Sequence, residues 1–346
     1  MATTTDSGLV RTAHASGLHA VTRELNELHR AMLRVGGDDQ AVRLSVLTLV
    51  VACVDGAWAD VAADVVALIA ARAPARAIVV VADRNAAPHI EADLSLQCSA
   101  VSGRQQVCAE LVRIHVGGET ALHLGSVVTP LLLADVPMYL WLAGAPPLEQ
   151  ALHSSSLEQC ERLILDSSLY PDTEGTLSAI ATAVRGREHA VPVADLAWAR
   201  TVQWREQIAR SFDRPEIRPF VGDVEDVAVR SEAAPPPGAS EGRLIAGWLR
   251  SRLGRRLGRL TLSGGDGPVA SVELRCRHHG ARATVSERRA QDMLVTDVSI
   301  DGTELPQSRV PAEIPELAGM VGSLIEQPSE PIYAAALRDA VHPERT

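Results

Sequence analysis

Apolar positions change their period several times along the first half of the chain, and each change marks an element. In SGLHAVTRELNELHRAMLR (16–34), Leu18, Val21, Leu25, Leu28 and Met32 recur at helical spacing. This predicts a surface helix with Ser16 as its N-cap and Gly36-Gly37 as its stop. Residues 44–54 are a run of β-branched residues and leucine and read as a strand. Residues 57–71 read as a helix with Trp58, Val61, Val65, Leu68 and Ile69 on one face, and 77–81 as a second strand. Strand, helix and strand in that order imply a parallel, right-handed unit. Residues 90–101 and 105–116 then read as two strands joined through Ser102-Gly103-Arg104, a hairpin.

The stretch VVTPLLLADVPMYLWLAG (127–144) is almost wholly apolar, but it does not suit a membrane. A spanning helix needs about 20 apolar residues. Pro130 and Pro137 would each break its ladder, and Asp135 would lie mid-bilayer. The better parse is a helix from 119 to 133, a turn at Ala134-Asp135 and a strand over 138–142, buried on both faces because it does not alternate. A buried strand at 162–166 completes a sheet of about six strands.

In the second half, helices are predicted over 173–185 and 195–212. Trp198 and Trp204 stand six positions apart on the latter, about 120° around it, so one of them is expected to reach the surface or a domain seam. Strands follow at 217–220 and 224–229, then a PPPG loop, then a helix over 241–253 with Leu244, Ile245, Trp248, Leu249 and Leu253 inward. Strands at 257–262, 269–277, 281–285 and 293–300 and closing helices at 313–325 and 332–340 finish the chain. The organisation expected is an N-terminal helix over 1–40, a mixed-sheet α/β domain over 41–170 and an α+β domain over 171–346.

A net charge of −10 argues against nucleic acid or an anionic membrane as the main partner. All 33 basic residues are arginine, which codon bias in a GC-rich genome explains most simply. The N-terminus lacks a signal-peptide apolar core, and five cysteines are too few for a secreted disulfide scaffold, so a cytoplasmic protein is expected.

Candidate chemistry is thin. There is no Gly-x-Gly-x-x-Gly and no phosphate-binding Gly-x-x-x-x-Gly-Lys loop; Gly264-Gly265-Asp266-Gly267 reads as a hairpin turn. Histidines at 115, 123, 153, 278 and 279 lack metal-site spacing. Asp166-Ser167-Ser168 follows a buried strand, where α/β sites lie, but without a nucleophile elbow; capping is the simpler role. Arg252, Arg255, Arg256 and Arg259 would form one stripe on a continuous helix, but Gly254 stops the helix and leaves a solvated basic corner. If the 102–104 turn centres on Gly103, Cys98 faces Cys108, as a redox pair or as two inert thiols. Cys53, Cys160 and Cys276 read as core. Candidates for partner contact are Trp141, Trp198, Trp204 and Trp248, with Arg252, Arg255 and Arg256.

Four segments, SVVTPLLLADVPMYLWLAG, RLILDSSLYPD, DLAWARTVQWREQIARSFD and LIAGWLRSRLG, in this order and spacing resemble the OpcA family of glucose-6-phosphate dehydrogenase assembly proteins. The resemblance covers roughly residues 40 to 300. QVCAELVRIHVGG is also similar, with Cys108 where a cysteine is familiar in cyanobacterial members. The chain departs at Trp141-Leu142, where the family commonly has Trp-Trp, and at Ala73-Pro74-Ala75-Arg76, where it often has His-Pro-Ser-Arg. The resemblance implies a non-catalytic, cofactor-free partner of glucose-6-phosphate dehydrogenase. Its implied role is to promote that enzyme's assembly or allosteric activation at entry to the oxidative pentose phosphate pathway. Redox sensitivity in cyanobacterial members adds thioredoxin as a second candidate partner. Two other readings stay open: a sugar-phosphate-binding enzyme using the arginines and the loop after Asp166, and a general metabolic scaffold.

Overall fold

The computed structural model describes residues 2–5, 8–35, 45–70, 72–102, 105–152, 157, 159–185, 191–232, 239–265, 267–313, 315–327 and 331–341. The chain divides into two compact units. The first comprises Met1–Leu165, Arg187–Ala194 and Glu316–Pro328, and the second Asp166–Gly186, Asp195–Pro315 and Ser329–Thr346. The α/β class expected from the sequence is the class observed, with a mixed sheet in each unit.

The first sheet is built from β1 (Ala2–Thr5), β2 (Gly8–Ser16), β3 (Leu47–Cys53), β4 (Ala75–Asp83), β5 (His89–Ser102), β6 (Gln105–Gly117), β7 (Met138–Ala143), β8 (Arg162–Leu165) and β9 (Val193–Asp195). Their spatial order is β1-β2-β5-β6-β4-β3-β7-β8-β9. Neighbours from β6 through β8 run parallel, and β1, β2, β5 and β6 form an antiparallel flank. The parallel strands β3 and β4 are apolar without alternation because both of their faces are covered.

Among the described residues, the helices of this unit are α1 (Leu18–Val35), α2 (Gly56–Ile69), α3 (Leu124–Val128), α4 (Leu148–Leu152) and the helix Leu317–Glu326. Asp55 caps α2 by accepting from the Trp58 amide at 2.9 Å. The buried face of α2 is Ala59, Ala62, Val65, Val66 and Ile69, which keeps Val65 and Ile69 of the expected face, whereas Leu68 is 69% exposed and Val61 also faces solvent.

The N-terminal segment is more than a helix, since β1 and β2 precede α1 and join the sheet. Ser16 ends β2 rather than capping α1, and Gly17 (φ 82) makes the corner between them. Residues 118–131 form a 3-10 turn, the short α3 and a second 3-10 turn with Pro130 at its start, rather than one helix. Leu131 is buried there, whereas Leu132 is only half-buried. Arg76 and Glu110 tie this segment to the sheet. The guanidinium donates to Glu110 Oε2 at 2.6 Å and to the Leu131 carbonyl at 2.8 Å, and both side chains are buried.

The second unit contains α5 (Thr173–Arg185), α6 (Leu196–Arg200), α7 (Val202–Ser211), α8 (Ala239–Leu253) and the helix Pro331–Val341. Its sheet consists of β10 (Val224–Ser231), β11 (Leu257–Gly264), β12 (Val269–His278), β13 (Ala281–Ala290), β14 (Met293–Ile300), β15 (Thr303–Glu304) and β16 (Ser308–Pro311). The order is β11-β10-β12-β13-β14-β15, with β16 also on β14. His279-Gly280 and Asp301-Gly302 have positive φ at both positions, which is the tight hairpin turn that sets the β12–β13 and β14–β15 registers.

Three expectations fail here. Gly264–Gly267 is not a hairpin turn, because β10 lies between β11 and β12; β10, α8 and β11 form a parallel crossover instead. Residues 217–220 are no strand: Ile217 precedes a 3-10 turn (Arg218–Gly222), since Pro219 cannot donate to a ladder. The predicted helix over 195–212 breaks at Thr201 into α6 and α7, so the 120° estimate for its tryptophans does not apply. Trp204, Ile208, Phe220, Val227, Ile245, Leu249, Val272, Leu274 and Val285 form the core between these helices and the sheet.

Candidate functional site

In the first unit a cavity of about 830 Å³ opens at the carboxyl ends of β3, β4 and β7. The chain leaves β3 for β4 on one side, while β7 joins on the other, so this is the point where doubly wound sheets take ligands. Its floor includes Val50, Val80 and Leu140, and its rim carries Asp83, Arg84 and His123.

In the second unit a polar network forms around Asp166, which directly follows β8. Asp166 Oδ1 accepts from the Ser168 amide at 3.1 Å, the Ser168 hydroxyl at 2.6 Å and Arg200 Nη2 at 2.8 Å. Its Oδ2 accepts from Arg200 Nη1 at 2.9 Å, and Arg200 Nε donates to Glu241 Oε1 at 2.6 Å. One guanidinium therefore holds two buried carboxylates. Burial works against that cation, but bonding and attraction from Asp166 and then Glu241 outweigh it and keep it protonated.

Asp195 begins α6 as its N-cap. Its Oδ1 accepts from the Ser167 and Ala197 amides at 3.1 and 2.9 Å, and Tyr333 donates its hydroxyl to Oδ2 at 3.1 Å. Burial, and then the charge of Asp166, push the Asp195 carboxyl up to about 6, against the pull of its amide donors. Burial also raises the Tyr333 hydroxyl well above its ordinary range, and the neighbouring Asp195 adds to it. Ser240 donates to the Ser167 carbonyl at 3.0 Å. The oxygens of Asp166 are all engaged, and Asp195 is 1% exposed. Such an arrangement pins chain segments far apart in sequence; it does not present a base to solvent. The sequence singled out Asp166 but missed Arg200, Asp195, Glu241 and Tyr333. The position of Asp195 at a predicted helix start was the only local signal.

The predicted partner-contact residues separate into two groups. Trp141, Trp198 and Trp204 are buried, and Trp248 is half-buried against the second core. The break at Thr201 lets both Trp198 and Trp204 point inward; Arg205 lies over the Trp198 ring, 3.6 Å from its centroid. Of the two positions expected for one member of that pair, the surface or a domain seam, the surface is not taken by either. Arg252, Arg255 and Arg256 are exposed around Gly254, whose φ of 54 ends α8 as anticipated.

Cys98 and Cys108 are direct partners in the β5–β6 register, as counted from the turn. Cys53 and Cys276 are buried free thiols, and the buried Cys160 thiol donates to the Arg162 carbonyl at 2.6 Å. Burial pushes the Cys53 and Cys276 thiols up to about 12, which makes them poor nucleophiles. Among the described residues, no group of three or more histidine, cysteine or acidic side chains could hold a metal ion, and no helix is long and apolar enough to cross a membrane.

Comparison with known proteins is consistent along most of the chain. Residues 66–182 match the glucose-6-phosphate dehydrogenase subunit N-terminal domain, and residues 191–337 match the corresponding C-terminal domain. The putative OxPP cycle protein OpcA of Synechocystis sp. is 29% identical over 187 residues, which is 54% of this chain and 38% of that protein. The OpcA of Synechococcus elongatus is 29% identical over 188 residues, 54% of this chain and 41% of its own length. The chain thus matches about four-tenths of the length of these curated relatives. An oxidoreductase from Sinorhizobium meliloti aligns over 88% of each chain at 12% identity, but its TM-score of 0.31 is too low to argue from. Two domain matches in sequence order, together with these relatives, place the chain in the OpcA family of glucose-6-phosphate dehydrogenase assembly proteins.

Proposed function

We propose that this chain binds glucose-6-phosphate dehydrogenase in the cytoplasm and promotes its assembly or its active conformation, with no chemistry of its own. The observation that carries the reading is the succession of the two dehydrogenase-subunit domain matches over 66–182 and 191–337. The engagement of Asp166 supports it, because the best catalytic candidate of the sugar-phosphate-enzyme reading is spent on Arg200 and Ser168.

A binding protein shifts an enzyme between states only by preferring one of them. A tenfold preference corresponds to about 1.4 kcal/mol, which a few good contacts supply. Redox control belongs to the same reading. Cys98 and Cys108 are opposed on neighbouring strands, where Cα atoms stand about 4.5–5.5 Å apart, within the range a disulfide spans. Thioredoxin is the reductant proposed for that pair.

The test is co-purification. Tagged chain drawn from extract of its own organism should retain the dehydrogenase, and mixing the two purified proteins should raise velocity or subunit association. A chain that turns over a sugar phosphate alone, and leaves the dehydrogenase's velocity and association unchanged, refutes the proposal.

A further inference from the structure

The second unit ends on one side in an open strand. β11 pairs in parallel with β10, from Leu257 opposite Val224 to Gly264 opposite Ser231, and among the described residues no strand pairs with its far side. A strand left this way offers a row of unpaired N–H and C=O groups as a template for another strand.

Most natural edges are guarded by proline, lysine or a bulge. The sequence of β11, LGRLTLSG, has no proline and no lysine, and its pairing with β10 runs without a register shift. Arg259, the only charged residue in the strand, is engaged by Asp226 at 3.2 Å. Its two glycines serve the inner side, since a Cβ on Gly258 would strike the Glu225 carbonyl and one on Gly264 the Ser231 carbonyl. Leu257, Leu260 and Leu262 remain half-buried at the rim of the core, so side chains of an added strand would meet apolar surface.

The arginine corner lies at the start of this strand. Gly254 ends α8, and Gly254–Arg256 form a 3-10 turn that leads directly into β11. Arg252, Arg255 and Arg256 are exposed, and none takes part in an ion pair with a described residue. In a chain of net charge −10 they are a local concentration of unneutralised positive charge. The occupant complementary to this corner is one that brings carboxylates to the start of the strand.

We infer that β11 is a docking edge, on which an extended segment of the dehydrogenase adds as a further strand, with carboxylates at the end that meets Arg252, Arg255 and Arg256. Backbone pairing supplies the fit, and the arginines set orientation and partner choice. This rests on the function proposed above, and the experiment separates the two.

Hydrogen exchange of the full chain is measured with and without the dehydrogenase of the same organism. Affinity is measured for the wild type and for a triple variant, Arg252→Gln with Arg255→Gln and Arg256→Gln, at low and high salt. The inference expects slowed exchange over 257–264 in the complex, affinity about tenfold weaker in the triple variant, and a flatter salt dependence. Binding with unchanged exchange over 257–264 overturns strand addition and leaves the proposed function standing. Protection with unchanged affinity and salt dependence in the triple variant overturns the acidic occupant. No binding by the wild type overturns both the inference and the function it rests on.

Discussion

Replacing Arg200 by methionine would leave Asp166 and Glu241, 8% and 7% exposed, without the guanidinium that bonds them both. Removing one partner of a buried ion pair costs about 3–5 kcal/mol, chiefly because the remaining charge stays buried. Here one cation serves two carboxylates, although Arg289 still attracts Glu241. The expected loss for the second unit at pH 7.5 is therefore about 4 kcal/mol. The loss should shrink on acidification. Without Arg200, the Glu241 carboxyl, already raised by burial, takes a proton more readily in the folded chain than in the unfolded one, so stability recovers as pH falls through its folded value. The assay is hydrogen exchange of the slowest β12 amides at pH 7.5 and pH 5, because two units need not unfold in one transition. Adding Asp166→Asn and Glu241→Gln to Arg200→Met should restore more than half of the loss. A single variant within about 1 kcal/mol of wild type, with the same pH dependence, would refute the reasoning.

The carboxyl of Asp195 rises from an ordinary 3.8 to about 6, so the folded chain keeps a proton that the unfolded chain has lost. Stability should fall by up to about 3 kcal/mol as pH climbs from 4 past 6; Asp195→Asn should flatten that fall, checked by denaturant titration across the range. Leu131→Asp should unfold the first unit through a buried charge, while the same change at half-buried Leu132 should cost less, as circular dichroism melts would show. Gly247→Ala should cost about 2 kcal/mol or more, because its Cβ would meet the backbone of Ala336 and Ala340 in the helix Pro331–Val341; exchange rates of that helix report it. Oxidation should change dehydrogenase activation by the wild type but not by Cys108→Ser; a persisting response in the variant removes the pair Cys98 and Cys108 from redox control.

Features fixed by local patterning were legible in the sequence. The β3–α2–β4 unit follows from its periodicity, and the facing of Cys98 and Cys108 follows from counting outward from the turn. Gly254 marked the end of α8 because a left-handed residue there needs no side chain. What was missed depends on distant partners. β2 has little apolar alternation and becomes a strand by pairing with β5. The break at Thr201 carries neither glycine nor proline, and β10 enters between β11 and β12 without any mark in its own residues. The Asp166 network escaped for the same reason: Tyr333 reaches Asp195 across 138 positions, and no spacing rule connects them.

The central claim is tested most directly by titrating this chain into glucose-6-phosphate dehydrogenase of its own organism, with and without glucose 6-phosphate. The account predicts saturable binding that substrate tightens, and an equal tightening of substrate binding by the chain, since the two effects are linked. Absence of binding, or binding that leaves substrate affinity, velocity and subunit association all unchanged, would contradict it.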